Sequence, residues 1–184
     1  GRKHNVAVLH KSGIVLLVAC WEAFVEDLVR GALNHMISTS QSPKSFPAGV
    51  LERVGSAHTG AKVWELAGDG WKTALRDNLK SVLAKTTGTF NTPKSAQVDD
   101  LFQKTLGLSG LSTHWSWKGK TVTQARSSLD DLVTLRGSIA HRVSTARAVR
   151  LTDVRTAREL IFRLSVRSHN RTSAFLKDHV GSTP

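Results

Sequence analysis

The chain has 184 residues, 40% of them hydrophobic, with only four prolines and a formal net charge of +12. That length suits one domain spanning residues 1–184, able to bury roughly 70% of its unfolded surface, and the composition, with no low-complexity tract or internal repeat, favours a compact globule over disorder. A pI near 10.6 points to an acidic partner, most often nucleic acid.

The single cysteine, Cys20, excludes a disulfide framework and a thiolate metal site within one chain. It lies inside the apolar run Ile14 to Trp21 and is expected to be a small core residue. That run is bracketed by Lys11 and Glu22, well short of the roughly 20 apolar residues that span a bilayer, and it is too interior for a signal peptide. A soluble cytoplasmic protein with no membrane contact is expected. Because the chain opens on Gly1 rather than Met, it is expected to be a fragment or a processed product.

In chain order, residues 5 to 38 read as one long helix. It is apolar on nearly every side between Ile14 and Phe24, as expected for a helix covered by neighbours or by a second protomer. Gly13 and Gly31 are candidate bends. Prolines 43 and 47 mark a loop, and 48 to 57 a short helix. Asp69 is a candidate N-cap for a helix running to about residue 85; residues 86 to 94 form a loop, and Ser95 to Leu106 a helix ended by Gly107. Residues 107 to 119 are loop-like and contain Trp115 and Trp117. Beside Lys118 and Lys120 these two could stack bases, but tryptophan's large apolar area makes packing onto the core the expected role. Thr121 to about Ala140 is a helix, and Thr152 caps a last helix reaching about Lys177. No strand pattern occurs, so the fold class is all-α, a helical bundle with long first, penultimate and last helices.

The penultimate helix carries the most informative feature. At 100° per residue, Ala125, Leu129, Leu132, Val133, Leu135, Ile139 and Ala140 share one arc, and Arg136 falls near its middle. A guanidinium cannot shed its charge, so burial there costs several kcal/mol unless a carboxylate, a phosphate or a partner compensates. Glu22 and Glu26, i,i+4 on the first helix, are the candidate carboxylates for a structural ion pair. His141 follows five residues on. The spacing alone decides nothing, since Arg30 to His35 and Arg53 to His58 share it.

The block Leu132-Val-Thr-Leu-Arg-Gly-Ser-Ile-Ala-His141 resembles the signature of the HEPN superfamily, whose ribonuclease members carry Arg, four to six residues, then His near the end of their penultimate long helix. Trp21 to Leu28 is similar to the opening of its RiboL-PSP branch, and Phe90 to Phe102 to that branch's middle segment. One position departs: catalytic members usually place Asn, Asp or His directly after the arginine, and here it is Gly137.

The resemblance implies a metal-independent endoribonuclease with no cofactor, a homodimer in which two motifs meet across a two-fold axis, and a role as toxin or antiviral effector with a possible antitoxin or regulatory protein. His141 would carry the proton and Arg136 would stabilise the phosphate. Within one straight helix the two lie about 140° apart, so they share a face only if the helix ends or distorts, which Gly137 would permit. Arg136 would then point to a protomer interface. Arg142 is a candidate for a flanking phosphate, or else an exposed helix-end cation.

Charge is uneven: residues 118 to 184 hold 13 basic and 5 acidic side chains, against 13 and 9 before them. Arg155, Arg158 and Arg163 of the last helix are therefore candidate RNA contacts, although such a run is commonly a solvated face. No histidine pairs at metal-ligand spacing with acidic residues, and no glycine-rich phosphate loop occurs. Two further readings remain: a non-catalytic HEPN-type module that dimerises and binds RNA or nucleotide, and a scaffold docking an acidic protein.

Overall fold

The computed structural model describes residues 6–77, 93–142 and 148–181. Its helices are α1 (Val6–Thr39), α2 (Ala48–Gly55), α3 (from residue 70, described to 77), α4 (Ser95–Leu106), α5 (Val122–Arg142) and α6 (Leu151–Val180). Short 3-10 turns occupy Pro43–Ser45, Gly60–Leu66 and Leu111–His114, and no strand occurs among the described residues. The all-α expectation is met. The expected end of α3 near residue 85 and most of the loop at 86 to 94 lie outside the described residues.

Helix α1 is the axis of the bundle. Ile14, Val18, Trp21, Val25 and Val29 recur every three or four residues and are all fully buried. Helix α6 runs beside it in the same direction, because both ends are fixed. His10 Nδ1 lies 3.1 Å from the Val149 carbonyl at one end, and His179 Nε2 lies 2.7 Å from the Ser45 carbonyl at the other. The helices approach closely where Gly13 faces Val154; a Cβ there would sit 3.1 Å from a valine methyl.

Trp21 joins the layers. Its ring stacks on Phe24 at 5.9 Å and meets Trp115 edge-on at 5.8 Å, while its indole N–H donates to the Pro93 carbonyl at 3.0 Å. Trp115, fully buried between α4 and α5, donates to Ser168 Oγ on α6 at 2.9 Å. Its role is packing, as expected, and Trp117 is half-buried against the same core. Phe46 and Trp71 close the far end in a second edge-on pair.

Two carboxylates pin two chain turns. Asp130 of α5 accepts from the backbone N–H (2.8 Å) and hydroxyl (3.0 Å) of Ser95 at the start of α4. Asp99 of α4 does the same for Ser112 at 2.7 and 2.6 Å, with Arg126 3.8 Å away. Gly107, at φ 83°, ends α4 as expected.

Three expectations are corrected. Cys20 is exposed, because α1 turns that side away from its neighbours. The N-cap of α6 is Arg150 rather than Thr152, since the Asp153 carboxylate reaches back to the Arg150 N–H at 2.8 Å. And α5 continues without a break through Gly137 to Arg142.

The Asp130 clasp sets the position of α5 against α4. Asp130→Ala leaves the buried Ser95 N–H and hydroxyl without acceptors, so it is expected to destabilise the fold by about 1–3 kcal/mol. A lowered urea midpoint with an unchanged m-value would record that loss; an unchanged midpoint would assign the α4–α5 geometry to apolar packing alone.

Candidate functional site

The arc carrying Arg136 is buried at Ala125, Leu129, Leu132 and Val133. From Leu135 to Ile139 it is half-buried, and Ala140 is exposed. Helix α5 thus rises out of the core over its last two turns, and Arg136 sits where it emerges. The guanidinium is half-buried and its Nε is buried with no hydrogen-bond partner. An unsatisfied buried donor costs about 1–3 kcal/mol, so the chain leaves a charged, directional group underused at this point.

The neighbouring acids do not neutralise it. Glu22 on α1 is half-buried, and its carboxyl is raised above the ordinary carboxylate range, chiefly by burial. Arg136 pulls it down and Glu26 pushes it up, yet burial wins. No hydrogen bond or close ion pair joins Glu22 to Arg136 among the described residues. A structural partnership strong enough to explain Arg136 would hold Glu22 low instead. Glu22 therefore sits within electrostatic reach of the arginine without pairing with it, and Glu26 acts on Glu22.

Because α5 is unbroken, position 141 lies about 140° around the helix from Arg136, and the distortion anticipated at Gly137 is absent. The two residues occupy different sides of one helix. The side chains of His141 and Arg142 lie outside the described residues. A family model for RiboL-PSP-HEPN domains matches residues 1–169. The chain belongs to that family. No match was found among curated proteins or among solved structures. Membership in the HEPN group suggests a nuclease or RNA-binding role, and such domains commonly dimerise and bind RNA.

Next to Arg136 this HEPN domain exposes an unusual amount of apolar surface. Leu9 and Leu16 of α1 are 69% and 64% exposed, and Val8 is equally open. An apolar groove of about 490 Å³ runs between α1 and the end of α5, lined by Val8, Lys11, Ser12, Val15, Leu16 and Ile139. Further along the same side of α1, Ala19, Cys20 and Ala23 are exposed. Small side chains there permit close approach of another helix. Sequence reasoning found this run apolar on all sides; which side stays open depends on packing.

The arginines of α6 lie elsewhere. Thr156, Ala157 and Leu160 line a second groove with α5, whereas Arg155 and Arg158 are exposed on other faces of α6. Arg163 donates from Nε to Glu159 at 2.8 Å, an i,i+4 pair that spacing could have revealed. None of these arginines lines the groove beside the end of α5. Among the described residues no cluster of His, Cys, Asp or Glu could hold a metal, and no helix is long and apolar enough to cross a membrane.

The raised Glu22 carboxyl yields a signed pH test. A carboxyl raised by folding adds stability that is fully present below its unfolded value of 4.5 and is lost as pH rises through the folded value. Glu22→Gln is therefore expected to melt higher than wild type at pH 7 and level with it near pH 4. A lower melting temperature at pH 7 would make Glu22 the structural anchor of Arg136.

Proposed function

We propose that this RiboL-PSP-HEPN domain is a metal-independent endoribonuclease that works as a homodimer, with Arg136 and His141 of two protomers forming one composite site. The observation that carries this reading is the half-buried, underused Arg136 guanidinium beside an open apolar strip of α1. A second copy seated on that strip would cover Leu9 and Leu16, and would bring the ends of both α5 helices towards one axis. The chemistry favours the same answer, since it needs two imidazoles at one phosphate and each chain supplies His141 only once.

The chemistry follows from the residue types. One imidazole takes the proton of a 2′-hydroxyl, and that oxygen attacks the adjacent phosphorus. Negative charge grows on the phosphorane oxygens, which the planar Arg136 fork matches with two N–H donors. The bond from phosphorus to the 5′-oxygen breaks, and a second imidazole, from the partner, gives that oxygen its proton. The products are a 2′,3′-cyclic phosphate and a 5′-hydroxyl. Arg142 holds a flanking phosphate in this scheme, and Arg155, Arg158 and Arg163 add basic surface outside the cleavage centre. Cellular RNA as target, a toxin or antiviral role in the cytoplasm and control by an antitoxin belong to the same proposal.

Cleavage of labelled total RNA is expected to persist in EDTA, to leave cyclic phosphate ends, and to stop with a 2′-deoxy substitution at the cut position. His141→Ala is expected to lower the rate by about 10²–10⁴ with the fold intact. Undiminished cleavage by folded His141→Ala would defeat the mechanism.

The dimer has its own test. Leu16→Arg places a charge on an exposed position, so the protomer should fold while the dimer dissociates in sedimentation and cleavage falls with it. A monomeric wild-type protein would sink the composite site.

One observation favours the non-catalytic reading: Gly137 stands where active relatives carry a polar side chain. A Cβ at Gly137 meets nothing within 4 Å, so Gly137→Asn fits the fold and is expected to raise cleavage. RNA binding without cleavage in both forms would select the non-catalytic module.

A further inference from the structure

Helix α6 carries a second surface that the cleavage site does not use. Leu151, Arg155, Arg158, Phe162, Val166 and His169 are all exposed and lie within about 40° of Phe162 around the helix axis. The strip is about 27 Å long, from a rise of 1.5 Å per residue. Phe162 is 59% exposed, an unusual state for a phenylalanine on a well-packed helix. Leu160, which faces α5, lies about 160° around from it, so the strip looks away from Arg136.

We propose that this strip is a single-stranded RNA anchor, in which one base stacks on the Phe162 ring and the phosphates on the Leu151 side of that base lie against Arg155 and Arg158. The inference rests on the RNA reading given above and specifies a contact apart from its cleavage centre. Charge complementarity selects the occupant. Arg155 and Arg158 have no acidic partner among the described residues, and the neighbouring carboxylate of Glu159 is already taken by Arg163 at 2.8 Å. The strip therefore presents two unpaired guanidinium groups over the two turns that precede an open aromatic ring, the combination that holds single strands through phosphate contact and sequence-tolerant stacking. A docked protein helix would need an apolar seam recurring every three or four residues. Here that seam is interrupted by Arg155 and Arg158, and only Phe162 and Val166 occupy adjacent turns.

The probes are two non-cleavable strands of about twelve nucleotides, a 2′-O-methyl oligouridine and a backbone of equal charge without bases, a length within the usual footprint of single-strand sites. In fluorescence anisotropy the wild-type protein should prefer the base-bearing strand. Phe162→Ala should weaken that strand's binding about tenfold while leaving the abasic backbone unaffected, as expected for the loss of one stacked base. Phe162→Leu, which keeps the apolar volume, should lose the same preference, and both variants should melt with wild type. Arg155→Gln with Arg158→Gln should flatten the dependence of log K on log salt by about 1.4 for either strand, at roughly 0.7 per phosphate contact. Wild-type affinity of Phe162→Ala for the oligouridine overturns the anchor alone and leaves the face to a protein partner. Failure of the wild-type protein to bind either strand overturns the anchor together with the RNA reading.

Discussion

The edge-on contact between Trp21 and Trp115 holds this bundle together, because it is the point where four parts of the chain meet. Trp21 belongs to α1 and donates to Pro93 ahead of α4; Trp115 comes from the α4–α5 connection and donates to Ser168 of α6. Each ring buries a large apolar area and each indole N–H finds an acceptor, so neither leaves a polar group stranded in the core. Edge-on aromatic pairs contribute about 0.5–1.5 kcal/mol beyond that burial. With this hub fixed, α1 and α6 lie in parallel, α4 is held by the Asp130 clasp, and α5 can cross α1 with its last turns free of the core.

That freedom is what creates the candidate site. Had α5 stayed buried to its end, Arg136 would have required a tight carboxylate partner or would have been excluded. Instead the helix emerges at Leu135, Glu22 remains only loosely engaged, and an apolar strip lies open alongside. Charge beside uncovered apolar surface is a poor arrangement for a solitary chain and a serviceable one for an interface, where burial supplies affinity and the charge supplies direction.

Much of this was legible in the sequence because it is local. The long run without proline marks α1, Gly107 marks the end of α4, and the apolar arc of α5 singles out Arg136. The illegible parts are long-range. Asp130 meets Ser95 across 35 residues and Asp99 meets Ser112 across 13, and no periodicity encodes such pairs. The run from Ile14 to Phe24 is apolar on nearly every side, so only tertiary packing decides that Trp21 goes in while Leu16 and Cys20 stay out. Two misses were avoidable. Asp153 at the third position of α6 signals Arg150 as the cap, and Glu159 to Arg163 is an ordinary i,i+4 pair.

The open strip of α1 also bears on dosage. Where two copies meet there, each brings one imidazole of the required pair, so the two-copy reading gives a single chain only half of the machinery. Below the dissociation constant, the number of complete centres then grows as the square of the chain concentration, so a tenfold fall in abundance removes about ninety-nine hundredths of the activity. A cell could keep such a protein silent merely by keeping it scarce, and any protein that covered the α1 strip would have the same effect without touching a reacting atom.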